Sequence, residues 1–431
     1  ERVLQGRVTD GQGNPLPYVN VFFKPFGQKG TTTNEEGRFE LKVEKGEADS
    51  ILFRYTGYQE KSFPLSQVES PLHVSLRKRE IKTKTTVVSG DKDPGERIMD
   101  SVRAHRDDYL DGLGGYGAKF YMKGKARLDS ISGNNPVDFQ VNGQEADSAR
   151  LLYLTESISR FRYYPPDRIR EEMISSRVSG DPRAFSSNRA KDILKNPYVH
   201  RIELSGVSKR AFISPLSRSA PTYYEFDWEG AYHKNGKTIS KIRVVPKRDH
   251  DPVFKGVVEV VEGDWRLKAL DLKVPASAPL EFVDSLRVKQ EYVNWKGQEW
   301  LPLSLEESYW FNIFGISATY KMVGHCEAHK KLDSSNEAES KMLFRVRDSA
   351  RKKDSGYWQN ERSYVLKEKE RSHYKKADSL QRVHNSKPYL DSIDSVNNRL
   401  TMQEFLLGGY EHDNSIDSVE WGVNSLLSAI G

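Results

Sequence analysis

Residues Tyr223–Arg248 read YYEFDWEGAYHKNGKTISKIRVVPKR. Asn235-Gly236 separates two runs in which apolar and polar residues alternate, and an Asn-Gly pair so placed is the strongest short-range signal for a β-hairpin. The plan then repeats. Pro252–Val274 (PVFKGVVEVVEGDWRLKALDLKV) turns at Glu262-Gly263-Asp264, and Leu286–Gly324 turns around Asn294–Gly297. Successive hairpins of this kind make an antiparallel meander. One face of each run carries aliphatic and aromatic side chains, the other Lys, Arg, Glu and Gln. The expectation is a curved sheet with one buried and one wet face, which sets the fold class as mainly β with some α.

Upstream, Asp93 can cap a helix, Pro94 suits its first position, and Glu96 completes an Asp-x-x-Glu box. Ile98, Met99, Val102, Tyr109 and Leu110 recur at helical spacing, so one helix is expected from about Pro94 to Leu110. Ala118–Leu128 (AKFYMKGKARL) returns to strand alternation. Leu151–Gly180 reads as a strand, a turn at Pro165-Pro166 and a polar, helix-like segment. The helices of this region are the expected cover for the apolar face of the sheet.

The first eighty residues differ in rhythm. Val3–Asp10, Tyr18–Phe23, Arg38–Val43, Ile51–Tyr58 and Pro71–Leu76 are short strands with turn signals at roughly ten-residue intervals, the pattern of a small antiparallel sandwich. Thr31–Leu41 reads TTTNEEGRFEL. Two carboxylates beside Asn34 and Gly37 raise a cation loop, but calcium wants more oxygens on a longer loop. Asn34 bonding its own backbone two residues on explains the segment as a bare turn. The expected organisation is a sandwich over 1–80, a linker over 81–92, an α+β domain with the meander over 93–345, a charged helical linker over 346–400, and the first strands of an outer-membrane barrel over 401–431.

The length of 431 residues suits two or three domains. Lys+Arg 67 against Asp+Glu 61 leaves +6, a mild excess without a basic stripe or a recognised motif, so no nucleic-acid partner is expected. With one cysteine, Cys326, no intrachain disulfide can form. No run of about 18 apolar residues exists to make a membrane helix. The chain opens with Glu1 rather than Met, as if a leader had been removed or the terminus trimmed.

The best candidate for chemistry is HCEAH. On a strand, His325, Glu327 and His329 would share one face and could hold zinc with one position open. On a helix, the two histidines would align at i, i+4, but Cys326 stands where H-E-x-x-H needs glutamate. The plainer reading is the wet edge of the last strand before a polar linker. No G-x-S-x-G elbow, Walker A loop or dinucleotide fingerprint occurs. Aromatics at alternating strand positions read as core rather than as a sugar platform. No catalytic, cofactor-binding or metal residue is assigned, and no cofactor is expected.

Two resemblances follow. Gly6–Phe23, Gly30–Leu41, Ile51–Tyr58 and His73–Leu76 match, in order, the carboxypeptidase regulatory-like domain, a transthyretin-like (Ig-like) sandwich found at the N-termini of envelope proteins of Bacteroidota. Asn34 replaces the usual aspartate of its T-D-x-x-G turn, and the domain carries none of the peptidases' catalytic residues. Ala149–Arg160, Ile169–Gly180, Phe212–Tyr232, Ile242–Leu272, Glu281–Tyr292, Asp354–Ser363 and Asp378–Ser392 resemble the DUF5686 family. Its members join that sandwich to a periplasmic region and then to an outer-membrane barrel. The resemblance implies a non-enzymatic interaction or scaffold region at the periplasmic face of the outer membrane, serving envelope assembly, export or maintenance. Its partners would be envelope, assembly or secretion proteins, and the membrane through a C-terminal barrel. Two alternatives are a lipid- or lipoprotein-binding carrier resembling the half-barrels of periplasmic lipoprotein carriers, and a metal-dependent hydrolase using His325, Glu327 and His329.

Overall fold

The computed structural model describes residues 2–24, 29–44, 46, 48–81, 92–111, 115–131, 151–164, 168–180, 189–204, 207–275, 277–278, 280, 283–295, 299–313, 315–332, 342–347 and 349–384. The chain divides into two compact units, 1–177 with 186–366, and 178–185 with 367–431. The expected barrel strands over 401–431, and residues 385–400 of the expected linker, lie outside the described residues.

The first unit opens with β1 (Arg2–Asp10), β2 (Asn20–Lys24), β3 (Gly30–Thr32), β4 (Arg38–Val43), β5 (Ser50–Arg54), β6 (Lys61–Pro64) and β7 (Leu72–Leu76). They form two sheets, β4-β1-β7 and β3-β2-β5-β6. Alternate residues of each strand point between the sheets, so Leu4, Val8, Val21, Phe39 and Phe53 meet in one core. The expected sandwich is present, but it is not antiparallel throughout, since β7 pairs parallel with β1.

Next come α1 (Pro94–Ala104), α2 (Arg106–Asp111), β8 (Tyr116–Ile131), β9 (Leu151–Tyr164) and β10 (Arg168–Gly180). The single helix expected over 94–110 is broken at His105, whose Nδ1 lies 2.9 Å from Ser101 O and engages a terminal carbonyl. The polar segment after Pro166 is a strand, β10, and not helix-like. Its inward positions are disguised by Ser175, Ser179 and Glu171, all buried. Glu171 is satisfied by accepting the N–H groups of Ala190 (2.8 Å) and Lys191 (3.3 Å) in the following short helix. That turn is α3 (Ala190–Ile193), followed by β11 (Arg201–Ile202), β12 (Phe212–Ile213) and α4 (Ala220–Tyr223).

The meander runs β13 (Tyr224–Lys234), β14 (Lys237–Pro246), β15 (Lys255–Val261), β16 (Arg266–Lys273), β17 (Ser285–Trp295), β18 (Glu299–Ile313) and β19 (Ile316–Lys331). Asn235 and Gly236 both take positive φ, 48° and 76°, as the two-residue hairpin demands. The sheet does not end at β19. It continues through β8, β9 and β10 to β20 (Met342–Val346), eleven strands in the order β13-β14-β15-β16-β17-β18-β19-β8-β9-β10-β20. β19 and β8 pair antiparallel from Ile316↔Ile131 to Lys331↔Tyr116. Two meanders are thus joined edge to edge into one large curved sheet, antiparallel except at its edge, where β20 pairs parallel with β10.

α1 covers one edge of this sheet. Glu96 does not close a capping box; its Oε1 accepts the N–H of Phe226 (3.1 Å), and Asp93 Oδ1 accepts those of Gly95 (2.7 Å) and Trp228 (3.1 Å). The helix can come this close because residue 95 is glycine: a Cβ there would sit 2.4 Å from Phe226 O. An edge strand with occupied N–H groups is a poor template for pairing with other chains.

Much of the expected wet face is covered: Glu156, Lys123, Glu259, Lys268 and Glu291 are buried, while Glu225 and Asp227 of β13 and Arg243 of β14 stay exposed. The sandwich meets the sheet through an apolar patch of Phe22, Leu52, Val293 and Leu303, ringed by polar contacts. Beyond β20, α5 (Ser355–Glu361) and the residues after it also pack down, burying Trp358, Tyr364 and Leu366, so this part of the expected solvated linker is structural. In the second unit, α6 (Glu368–His384) buries Tyr374, and Ser179 Oγ donates to His373 O (3.0 Å). No helix among the described residues is long and apolar enough to cross a membrane.

Candidate functional site

The Asn34 turn has the expected local chemistry. Its Oδ1 accepts the N–H groups of Glu36 (2.9 Å) and Arg38 (3.0 Å). Its Nδ2 does something a carboxylate cannot, donating to Val365 O (3.2 Å) in the packed C-terminal segment. Asn34 is 1% exposed. Asn34→Asp would bury a charge against a carbonyl oxygen and is expected to cost about 2 kcal/mol in urea unfolding; equal midpoints would show that the contact contributes nothing.

His325, Glu327 and His329 lie on β19, an interior strand because β8 continues the sheet beyond it. All three are buried, which corrects their expected place on a wet edge. Glu327 is held by Lys119 Nζ (3.0 Å) and by Gly30 N–H of the sandwich (3.3 Å). His329 Nε2 is 2.8 Å from Pro302 O. Burial, reinforced at His325 by the Lys119 charge, drives both imidazole pKa values down to about 4, so they are neutral. Among the described residues no three or more His, Cys, Asp or Glu side chains are grouped to hold a metal ion.

The junction of sandwich and sheet carries a charge cluster. Glu60 accepts from Arg54 Nε (2.6 Å) and from Lys234 of β13. Burial alone would raise the Glu60 pKa, but the two cations pull it down to about 2. Of the cations, lysine yields: burial and the Arg54 charge push Lys234 from 10.5 down to about 7. Below about pH 7 Lys234 is charged in both folded and unfolded chains, and the fold carries the cost of a buried charge. Between there and 10.5 the unfolded chain holds more protons, so stability rises with pH, by at most about 1.4 kcal/mol per pH unit. Lys234→Met should flatten that part of the stability–pH curve, measured by urea unfolding at several pH values.

On the sheet face covered by the helices lies a cleft of about 100 Å³. Tyr109 of α2 and Tyr198, which follows α3, form one wall, with ring centroids 5.4 Å apart. Tyr116 of β8 contacts Phe161 and Tyr163 of β9 (6.1 and 5.6 Å). Tyr292 and Trp300 complete the lining. The phenol of Tyr198 accepts the N–H of Leu267 (2.9 Å), and Gln290 Nε2 donates to Lys195 O (3.0 Å), which fixes the 194–198 segment over the sheet. Burial raises the phenol pKa values of Tyr116, Tyr198 and Tyr292, so the rings stay neutral. No carboxylate lines the cleft among the described residues; its ionic groups are Lys195 and Arg266. The Arg266 guanidinium lies over the Tyr109 ring at 4.3 Å. Arg266 Nε and Trp300 Nε1 are buried donors without a partner among the described residues. Aromatic rings with a few fixed polar groups are the composition of small-molecule sites, while the volume lies below their usual range of about 300–1,000 Å³. In the sequence these aromatics were indistinguishable from core, and nothing in it marked Arg266 or Trp300.

The comparisons agree with the domain order. The CarboxypepD_reg-like domain matches residues 4–88, and the family of unknown function DUF5686 matches residues 98–329. No curated protein matches. Among solved structures, the chain is similar to an outer membrane lipoprotein-sorting protein domain assigned in Vibrio parahaemolyticus, at 13% identity over 56% of this chain and 95% of that one, TM-score 0.24. A DUF1329 family protein from Desulfovibrio piger gives 11% identity, 57% and 96% coverage, and TM-score 0.23. A LolA superfamily protein from Nitrosomonas europaea gives 9%, 56% and 94%, and TM-score 0.20. Likenesses with such TM-scores carry no argument about function. The family match spans more than half of the sequence: this chain belongs to the DUF5686 family and bears a CarboxypepD_reg-like domain at its N-terminus.

Proposed function

We propose that this chain is a non-catalytic binding region of a cell-envelope protein, acting at the periplasmic face of the outer membrane, and that its aromatic cleft takes up an acyl chain of a lipid or lipoprotein. The observation that carries the reading is the cleft itself, an apolar, neutral-ringed space with the unpartnered donors of Arg266 and Trp300 in its walls. A carboxylate, ester or amide oxygen would satisfy those donors, and the rings would cover the chain. The cleft favours the carrier reading over a scaffold built only on strand edges, since α1 already occupies N–H groups of one edge. The partners that deliver or receive the acyl chain would be envelope proteins of assembly or secretion. Hydrolysis at His325, Glu327 and His329 is not part of the proposal, because Lys119, Gly30 and Pro302 engage Glu327 and His329.

The test is native mass spectrometry of gently purified protein, with displacement of a fluorescent fatty acid. Co-purifying acyl species and saturable probe binding are expected. Leu194→Arg, which places a third cation and its bulk in the half-buried lining, should abolish both while leaving the thermal melt in place. Protein that carries no acyl chain and does not bind the probe would refute the reading.

A further inference from the structure

The sandwich and the sheet enclose a second cavity of about 300 Å³, distinct in its chemistry from the aromatic cleft. That volume is at the lower end of the range for small-molecule sites, about 300–1,000 Å³, and such sites favour domain junctions. The sandwich contributes Tyr18, Tyr55 and Tyr58, with Asn20 and Thr56; β16, β17 and β18 contribute ionic side chains.

Those ionic groups are answered within the wall. Arg287 binds Asp271 through two hydrogen bonds of 2.7 Å. Glu306 pairs with Lys321 at 2.7 Å and with Lys289 at 3.6 Å. Glu291 accepts from Asn20 Nδ2 (3.0 Å) and from the Thr56 hydroxyl. A phosphate or an ammonium ligand would have to break one of these pairs, leaving a desolvated charge behind, which is costly. Neutral hydrogen-bonding groups are what the cavity has to spare. Among the described residues the hydroxyls of Tyr55 and Tyr58 have no partner, and Asn20 Oδ1 is buried without one although Asn20 is only 1% exposed. The Tyr55 and Tyr58 rings stand 5.3 Å apart, tilted by 40°, and offer apolar faces beside those polar atoms.

A ligand that matches has apolar C–H faces, several hydroxyls able to donate and accept, and no charge. We propose that this cavity binds a neutral sugar ring, one unit of a glycan, with its C–H face on the tyrosines and its hydroxyls on Tyr55, Tyr58 and Asn20. The site lies on the face of the sheet that meets the sandwich and is independent of acyl binding in the cleft.

The experiment is saturation-transfer difference NMR on the full chain with glucose, mannose and N-acetylglucosamine, each added separately. At least one should bind saturably. The Tyr55→Phe/Tyr58→Phe variant keeps both rings and should weaken that sugar about tenfold, the loss of one or two modest hydrogen bonds. Its fatty-acid binding should not change. A diazirine-bearing form of the binding sugar gives a second readout that needs no variant: after irradiation, the labelled peptide should contain residues 55–58 or 287–291. The inference is overturned if none of the three sugars binds, if the double substitution leaves the affinity unchanged in a folded variant, if the label lands elsewhere, or if inorganic phosphate displaces the sugar from this site.

Discussion

Arg362→Met is expected to destabilise the first unit by about 3–5 kcal/mol, because it strands a buried carboxylate. Arg362 follows α5 and reaches Glu156 of β9 through two hydrogen bonds, Nε to Oε1 at 2.5 Å and Nη2 to Oε2 at 2.7 Å. Glu156 is 0% exposed and also accepts from the Tyr121 hydroxyl at 2.6 Å. Burial by itself would raise the Glu156 pKa, yet the guanidinium overrides it and holds the carboxyl below its ordinary value of 4.5. In the native chain this contribution is complete above 4.5 and is lost as pH falls through the lowered folded value. In the variant, burial acts unopposed by Arg362, the carboxyl shifts upward, and acidification relieves the penalty. The stability gap between native and variant protein should therefore narrow from about pH 7 to about pH 4, measured by urea unfolding. Glu156→Gln/Arg362→Met, which removes the charge as well, should recover most of the loss. A gap that does not vary with pH would mean that Arg362 acts by packing alone.

Phe53→Ala should have a comparable effect, about 3–5 kcal/mol, and should be visible far from the substitution. Phe53 is fully buried in the sandwich, edge-on to Phe39 (5.2 Å) and Phe63 (6.0 Å). None of the seven tryptophans lies within residues 1–80, so tryptophan emission reports only on the rest of the chain. The sandwich is tied to the sheet by Asn20–Glu291 (3.0 Å), Lys125–Glu35 (2.6 Å) and Arg54 to Tyr292 O (3.4 Å). Joined so, the two should unfold together. The tryptophan transition in urea should move to lower denaturant along with the circular-dichroism transition. An unmoved tryptophan midpoint would show the sandwich unfolding independently.

The two substitutions also mark where reading the sequence stopped. Phe53 belongs to an alternating run whose burial was legible from period and turn spacing. Arg362 sits in a charged stretch that reads as solvated, and its partner is 206 positions away in β9. The same division holds for the sites. The residues of HCEAH share a strand, as their spacing allows. Their burial depends on β8 pairing with β19, a contact between segments roughly two hundred residues apart that no local pattern encodes. The aromatic cleft needs rings from α2, β8, β9 and β17 to converge, and each ring alone is an ordinary core residue.

By itself the sequence determined the secondary structure that short-range physics controls: the Asn235-Gly236 hairpin, the meander, the Asn34 turn and the two-sheet sandwich. Backbone sterics and side-chain alternation act over a few residues, so they can be read there. Only the tertiary structure decided that much of the polar face of the sheet is covered, that the segment after β20 is clamped by a buried ion pair, and that two cavities of opposite chemistry flank one sheet. Those outcomes depend on which distant polar groups find partners when water is removed, and a carboxylate beside water has the same letter as a carboxylate beside arginine.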